Sequence, residues 1–414
     1  MILGPEAIPA LVVAAALGLI ALVTRQWIVP AFIGLVWLSL PQHLYGGLPS
    51  PVEVGGLVML AYVANRMARG IDFAPPLVGV AVLITLAAVC SSLVSPEGTS
   101  IPTKTLASLS FLFIGAIAVP GPAGVERVAI VLCAVGAFLG AGAMYSVLEH
   151  PTALFPLNDG VEGAEAARAA GPFGEANFFA LSLAVIVPFA AYLMVRGGPL
   201  RVLGTVSLAA LVGGVLATGS RGGLIALVAG LLATWMALSV HRWRALLVTL
   251  AVGIALTPLF AAQLESSGER TVSGRATENL VALAMFADHP LTGVGANAYP
   301  VLYRDYTREI GNDPRSMREA HSLPLQIAAE QGLAGLLAWL AAIVIVVRYA
   351  IQRNLWELPL GRALLFALLT YAIGSLFLHG SQIRLLFVLI GMVFAMGAGA
   401  AVSAASGSAR KAVA

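Results

Sequence analysis

Apolar stretches of roughly membrane-spanning length recur along almost the whole chain, from residue 7 to residue 403. A spanning helix needs roughly 17 to 25 apolar residues, and thirteen stretches approach or reach that length. Only 10% of the residues are charged, whereas an ordinary soluble domain carries about 25%. This pattern excludes a soluble fold and predicts an all-α polytopic membrane protein with about 12 or 13 transmembrane helices. The stretches lie near 7–24, 27–41, 52–65, 75–95, 101–120, 126–148, 176–195, 202–218, 223–240, 245–262, 323–347, 363–378 and 385–403.

The second and third stretches are short for a complete crossing. We expect one of them to be tilted, re-entrant or packed inside the bundle.

Arginine and lysine alternate from loop to loop, which predicts the orientation of the chain. One set of loops holds thirteen cationic and three acidic residues, and the other set holds ten cationic and seventeen acidic residues. Because cationic loops are retained in the cytoplasm, the first set and the C-terminus are predicted to be cytoplasmic. The long loops 149–175 and 263–322 then lie on the outer side, where we expect the chemistry.

The chain divides into four regions on this basis. Residues 1–148 form N-terminal transmembrane helices, and 149–262 form central helices with the outer loop 149–175 and a GSRGG turn. Residues 263–322 form the long outer loop, and 323–414 form the C-terminal helices and a cytoplasmic tail. Within the long loop, Ser273 is a candidate N-cap for a helix with an apolar face, which could lie flat on the membrane. That face comprises Ala276, Leu280, Leu283 and Ala287.

Arg221 lies in the sequence TGSRGG at 218–223, between two apolar stretches on the predicted outer side. A cation there departs from the charge asymmetry, so we expect an anion to compensate for it. A guanidinium pairs with phosphate bidentately, and glycines allow backbone N–H groups close to an oxyanion. Ser220, Arg221 and Gly222 are therefore candidate phosphate contacts. The alternative is an arginine that snorkels or pairs with a loop carboxylate.

Arg275 falls in the first turn of the predicted loop helix, where the helix dipole disfavours a cation by a few tenths of a kcal/mol. An anionic ligand shared with Arg221 would explain this placement. A salt bridge with Glu269 or Glu278 is the alternative interpretation.

His321 ends the long loop, immediately before Ser322 and Pro324, which have the residue types of an N-cap and a first helical turn. A helix N-terminus penalises imidazolium, so we expect a neutral ring able to accept a proton as a general base. The alternative is an interfacial histidine that makes one backbone hydrogen bond.

Four further polar residues are candidate substrate contacts, namely Arg168, Asn177, Ser322 and Glu330. Glu330 follows Gln326 at helical spacing and shares a helix face with Ser322, although an i, i+4 pair can also serve helix packing. Across the other outer loop, Arg168 and Asn177 precede and begin the seventh apolar stretch, and Arg168 is a candidate anion contact.

The motifs that the chain lacks narrow the classes of function. The sequence contains no DxD, HExxH, Walker loop, GxSxG or cluster of His and Cys, so neither nucleotide-driven transport nor a metal-dependent transferase is predicted. A secondary transporter would concentrate charged or broken helices near the midplane, whereas the unusual residues here lie at the outer surface. A lipid-linked sugar flippase would also need cations, but it would give no role to His321.

Taken together, three segments resemble motifs of the O-antigen ligase and polymerase superfamily. They are GSRGG at 219–223, SGR at 273–275 continuing to DHPLTGVG at 288–295, and His321-Ser322 followed by EQGLAG at 330–335. The resemblance covers roughly residues 168 to 340 in motif order.

This resemblance implies a GT-C-type membrane glycosyltransferase that acts at the periplasmic face of the bacterial inner membrane. Its donor would be an undecaprenyl-diphosphate-linked glycan. The acceptor would be a sugar hydroxyl of lipid A-core oligosaccharide in a ligase, which we prefer, or a second lipid-linked unit in a polymerase. The expected partners are these lipid-linked glycans and membrane lipids, with no nucleic acid, metal or other cofactor.

Residue by residue, the resemblance maps Arg221 and Arg275 onto the family's arginines and His321 onto its loop-terminal histidine. The family is usually drawn with twelve spans, whereas our count favours thirteen. The position after the histidine is often Asn in the family and is Ser322 here.

Overall fold

Helices dominate the computed structural model, as the apolar stretches predict. The structure describes residues 25–38, 51–68, 74–94, 103–119, 121–148, 152, 155–158, 168–238, 269–311, 320–378 and 384–398. The predicted spans near 7–24 and 245–262 lie outside the described residues. The helices are α1 (Ile28–Leu38), α2 (Pro51–Ala68), α3 (Pro75–Val94), α4 (Thr103–Phe113), α5 (Gly121–Val147), α6 (Ala176–Ala184), α7 (Val187–Arg196), α8 (Pro199–Ala217), α9 (Arg221–Leu238), α10 (Glu269–Asp288), α11 (Tyr299–Glu309), α12 (Leu323–Gln352), α13 (Pro359–Ser375) and α14 (Arg384–Ala398).

Among the described residues, five helical segments are long and apolar enough to cross a membrane. They are Pro75–Leu93, Gly121–Val147, Ala176–Arg196, Pro199–Ala217 and Leu323–Gln352. Shorter apolar helices, such as α1 and α13, accompany them. The prediction of an all-α polytopic membrane protein is therefore confirmed.

Helix α1 corresponds to the short second apolar stretch. Its 11 residues rise about 16 Å at 1.5 Å per residue, well below the roughly 30 Å of the hydrocarbon core. Nine of the 11 residues are buried. The described part of this stretch is therefore packed inside the bundle, and residues 39–41 lie outside the described residues.

The segment formed by α6 and α7 lies at the centre of the bundle, with 89% of its spanning window buried. The two helices separate before Pro188, which has no backbone N–H to continue the hydrogen-bond ladder. Trp37 of α1 donates its indole N–H to the Ser182 carbonyl at 3.1 Å, beside this interruption. This bond ties α6, which carries Asn177 near its N-terminus, to α1.

Polar contacts mark the two ends of this central segment. At its C-terminal end Arg196 pairs with Glu126 at 3.1 Å, and Tyr192 donates to the same carboxylate at 2.8 Å. At its N-terminal end Arg168 bonds the Thr218 carbonyl. The 21 residues between the ends rise about 30 Å. The Arg196–Glu126 pair joins two residues that the charge pattern predicts on one side of the membrane, and the Arg168–Thr218 pair joins two residues predicted on the other side.

Helices α5 and α8 pack closely because two glycines meet between them. A Cβ added to Gly214 would lie 2.6 Å from the Cα of Gly140. Without side chains at these positions the two backbones can approach closely, as small residues allow in membrane bundles. This contact fixes the end of α8 that leads into the TGSRGG turn.

The described part of loop 149–175 is clamped to the bundle by a short ribbon. Strands β1 (Leu157–Asn158) and β2 (Arg168–Ala169) pair antiparallel, with Asn158 opposite Arg168. The nearby Phe155 is buried and packs edge-on against Phe138 of α5. The ribbon therefore sets the position from which the Arg168 side chain reaches the bundle.

The long outer loop has an apolar cluster of its own. Residues Val281 and Met285 of α10, Tyr299 and Tyr303 of α11, and Ala329 of α12 belong to it. The prediction of Ser273 as an N-cap is wrong, because α10 begins four residues earlier at Glu269. Helix α11 was not predicted. The described part of this loop, 269–311 and 320–322, thus forms a small cap of two helices that shares its core with the first turns of α12.

Helix α12 is interrupted at Gly332, whose backbone has φ 61° and ψ −158°. A continuous helix would bond the N–H groups of 333 and 334 to the carbonyls of 329 and 330. Here Leu333 and Ala334 donate instead to the Pro290 and Leu291 carbonyls, at 2.8 and 3.1 Å. The loop segment 290–295 therefore acts as a wedge in α12.

The wedge also satisfies the two carbonyls that the interruption releases. Val294 donates its N–H to the Ala329 carbonyl at 2.9 Å, and Gly295 donates to the Glu330 carbonyl at 3.0 Å. All four backbone groups of the broken turn are thus paired with segment 290–295. The part of α12 that lies between His321 and Gly332 is locked to the loop that follows α10.

Candidate functional site

The first group of candidate residues is a hydrogen-bonded network at the α9 N-terminus. Arg168 donates Nε to the Thr218 carbonyl at 2.9 Å and Nη2 to Oδ1 of Asn177 at 3.1 Å. Ser220 donates its hydroxyl to the same Asn177 oxygen at 2.9 Å. Arg168, Asn177 and Ser220 are separate candidates in the sequence, and the structure brings them together.

Asn177 is held in this network by its own helix end. The Glu175 carboxylate caps α6 by accepting from the N–H groups of Asn177 and Phe178, at 3.0 and 2.7 Å. The Asn177 side chain is buried. Its amide oxygen therefore has a fixed direction and accepts from both Arg168 and Ser220.

Ser220 and the glycines after it have roles in packing. Ser220 is fully buried, and its Oγ accepts from the Gly223 N–H at 3.1 Å, which caps α9. A Cβ at Gly222 would lie 3.2 Å from Phe377 and from Leu378. The space that glycine leaves at 222 is therefore occupied by the residues that follow α13, whereas the sequence predicts room for an oxyanion there.

Arg221 is the first residue of α9 and is partly exposed. The N-termini of α6 and α9 meet at the Asn177–Ser220 hydrogen bond. Both helix dipoles place partial positive charge there, in addition to Arg168 and Arg221. These four contributions favour an anion at this end of the bundle, where the Glu175 carboxylate already caps α6.

The second group surrounds His321, which lies beside a buried carboxylate. Nδ1 of His321 is 2.5 Å from Oε2 of Glu278. The Glu278 side chain has no exposed surface, whereas 20% of the His321 side chain is exposed. Ser322 occupies the predicted N-cap position of α12, with Pro324 in the first turn, but its hydroxyl makes no capping bond.

Tyr299 connects the backbone of Glu278 to this group. Its hydroxyl donates to the Glu278 carbonyl at 2.8 Å. Burial, followed by the nearby Glu278, Tyr303 and Glu330 groups, raises the pKa of the Tyr299 phenol well above its usual range. The phenol therefore stays protonated and serves as a fixed donor under α10.

Tyr306 makes a second link between α10 and α11. Burial, and then its hydrogen bond to Asp288, raises the pKa of Tyr306 to about 12. The two tyrosines hold α10 at both ends of its buried face, which carries Glu278.

Glu330 serves the helix in three ways. Its side chain accepts from Nε2 of Gln326 at 3.3 Å, within the same helix. Its backbone carbonyl accepts from Gly295 and from the hydroxyl of Ser91 in α3. The side-chain bond lies within α12, whereas the bonds to α3 and to the wedge use the backbone carbonyl, and they place Glu330 beside the wedge.

Arg275 lies in α10 three residues before Glu278, and its side chain lies outside the described residues. Because α10 begins at Glu269, Arg275 is the seventh residue of the helix and not in its first turn. The argument from the helix dipole at this position was therefore wrong. The Glu278 carboxylate, one of its two suggested partners, contacts His321.

Sequence reasoning missed Glu278 as the partner of His321. The available signal was a second stripe on α10, formed by Glu278 with Val281, Ala282 and Met285 at i+3, i+4 and i+7. All four are buried, whereas the stripe that was predicted to be the apolar face is exposed. An ionisable residue on the more buried stripe is a candidate for a functional role.

Within the described residues, no group of three or more His, Cys, Asp or Glu side chains is arranged to hold a metal ion.

The structure thus defines a polytopic α-helical membrane protein with a cationic helix-end network and a histidine–carboxylate pair in a loop-derived cap. Residues 206–340 match the family model described as O-antigen ligase. The match confirms the resemblance to the O-antigen ligase and polymerase superfamily, and it covers about a third of the chain. It includes Arg221, Arg275, Glu278 and His321, whereas Arg168 and Asn177 precede it. A comparison with curated proteins found no match.

Proposed function

We propose that this protein is an O-antigen ligase-type glycosyltransferase. It moves a glycan from undecaprenyl diphosphate to a sugar hydroxyl of lipid A-core oligosaccharide at the periplasmic face of the inner membrane. The family match supports the reaction class. The observation that carries the proposal is the contact between His321 and the buried Glu278.

A carboxylate beside Nδ1 gives His321 the arrangement of a general base. When the Nδ1–H donates to Glu278, the Nε2 lone pair is available to accept a proton from an acceptor hydroxyl. The carboxylate then stabilises the imidazolium that forms. Because His321 is partly exposed and Glu278 is fully buried, the ring has access to substrate while its orienting group does not.

The arginines would act on the leaving group. The acceptor oxygen attacks C1 of the donor sugar, and the C1–O bond to phosphate breaks with its electron pair passing to the diphosphate. Arg221 and Arg275, with Arg168, stabilise the charge that develops there. The acceptor proton passes to His321, and a single displacement inverts the configuration at C1.

This reaction needs no nucleotide, because the lipid diphosphate is a good leaving group once its charge is neutralised. We propose that it also proceeds without a metal, since the arginines supply the positive charge. Ser322 lies next to His321 and is a candidate contact for the acceptor.

The broken helix α12 prompts comparison with a transporter, where such breaks commonly coordinate substrate or ions. Here the four backbone groups released at Gly332 are all bonded to segment 290–295. The break therefore serves attachment of the loop, which supports a transferase over a transporter.

The decisive experiment is transfer in vitro by purified protein with lipid-linked donor and one of two acceptors. We expect product with lipid A-core oligosaccharide. A ladder of repeats formed from lipid-linked units without core acceptor would instead establish the polymerase branch. Solute uptake by proteoliposomes that contain no lipid-linked glycan would refute both.

A further inference from the structure

The outer face of α10 carries apolar side chains that no part of the described protein covers. Leu280 and Leu283 are 52% and 49% exposed, and Ala276 and Ala287 on the same stripe are also exposed. Between residues 276 and 287 the only charged residue is Glu278, which is buried on the opposite face. A water-facing helix in a loop would not normally present such a face.

The neighbouring helix α11 shows what a water-facing surface of this cap looks like. Its exposed positions include Arg304, Asp305, Arg308 and Glu309, and Asp305 pairs with Arg308 at 3.5 Å. Two adjacent helices of one loop thus present opposite surfaces, one charged and one apolar. The contrast indicates that the two surfaces meet different surroundings.

The apolar face of α10 continues into the lipid-facing surface of α12. The wedge residue Leu291 is 68% exposed and follows Pro290, whose carbonyl accepts from Leu333. From Leu333 an exposed stripe runs along the spanning part of α12 through Leu337 and Leu340. The surface is therefore continuous from a membrane-spanning helix to the outer loop.

We propose that α10 lies in the membrane interface, with Leu280, Leu283 and Leu291 in contact with the acyl chains of bilayer lipids. Contact between this apolar face and the acyl chains holds the two loop helices at a fixed depth in the bilayer. Because Glu278 lies on the opposite face of α10, the Glu278–His321 pair is held next to the plane of the lipid headgroups. Interfacial helices bind membranes in this way, with the apolar face buried at the headgroup boundary.

The test is the accessibility of nitroxide spin labels in full-length protein reconstituted into nanodiscs of defined phospholipid, without any polyprenyl lipid. Labels are attached at Leu280→Cys, Leu283→Cys and Leu291→Cys, each in a Cys90→Ala, Cys133→Ala background. Matched controls are Leu340→Cys, on the lipid-facing stripe, and Arg304→Cys, on the charged face of α11. Three test positions keep the experiment informative if one variant fails to fold.

We expect the labels on α10 and at 291 to show high accessibility to oxygen and low accessibility to a water-soluble nickel complex, as at position 340. Accessibility like that of position 304 would overturn the proposal, because it would place the face in water. Low accessibility to both reagents would also overturn it and indicate a covering protein, such as a second copy. Lipid-like values that appear only after undecaprenyl phosphate is added would assign the surface to the donor chain instead. The measurement uses no glycan, so its failure is distinguishable from failure of the proposed transfer.

Discussion

Replacing Glu278 with Gln would test the histidine–carboxylate pair without changing its shape. The carboxylate contacts Nδ1 of His321 at 2.5 Å, and a glutamine amide can present an N–H to that nitrogen. Nδ1 would then accept a hydrogen bond, so the single proton of the neutral ring would lie on Nε2. Nε2 would have no lone pair left to accept the proton of the acceptor hydroxyl. We expect the turnover number to fall by about 10²–10⁴-fold, the range of a general base contribution. Donor binding should persist.

The same pair makes a prediction about stability. Glu278→Gln leaves no buried charge, so the folded state should tolerate it. His321→Ala removes a partner from a carboxylate that has no exposed surface, and breaking a buried pair in this way costs about 3–5 kcal/mol. Because His321 is partly exposed, we expect the lower end of that range. The double variant should recover part of the loss.

The assay combines single-turnover transfer, donor binding and thermal unfolding in detergent for four proteins: wild type, each single variant and the double variant. If the two residues act as a unit, the double variant should transfer glycan no more slowly than the slower single variant. Glu278→Asp, which keeps the charge, should retain more activity than Glu278→Gln. Turnover of Glu278→Gln within about threefold of wild type, far short of the expected loss, would refute the reasoning.

Three further predictions concern the wedge, the cationic network and metal ions. Gly293→Ala should lower both the unfolding temperature and the transfer rate, because its Cβ would overlap the Glu330 backbone. The control Gly311→Ala has the same positive φ but an open environment, so it should cost only about 1–2 kcal/mol of stability. Equal effects of the two variants would contradict the wedge. Asn177→Asp keeps a hydrogen-bond acceptor for Arg168, but the new carboxylate offsets the positive charge of the Arg168 guanidinium. The KM for donor should therefore rise severalfold with little change in folding. An unchanged KM would show that Arg168 does not contact the diphosphate. Transfer should survive exhaustive treatment with EDTA, and loss that is restored by a divalent cation would contradict metal independence.

Local patterns in the sequence were enough to predict most of the helical architecture. The length of each apolar run predicts a helix by itself, and the described helices other than α10 and α11 follow those runs. The N-cap of α12 at Ser322 was also predictable, because a polar residue followed by Pro324 is a local signal. The start of α10 was not, because its first turn carries Glu269 and Arg270 and the apolar pattern that signals a helix begins only later, at Ala276.

The same limit applies to the wedge. DHPLTGVG reads as a helix end followed by a turn, which describes the segment by itself. Its partner is a glycine 37 residues beyond Gly295, in what reads as a continuous spanning helix. The spacing of apolar residues along α12 does not distinguish Gly332 from a glycine that only allows close packing of two helices.

The sequence alone determined that this chain spans a membrane and that Arg221, Arg275 and His321 are the residues to examine. These conclusions rest on composition, period and short motifs, which are local properties. Only the tertiary structure decided that Glu278 faces His321, that Asn177 joins Arg168 to Ser220, and that segment 290–295 breaks α12. Each of these contacts joins segments that are far apart in the chain. Which residues meet depends on which face of each helix packs into the interior, and the local sequence does not specify that.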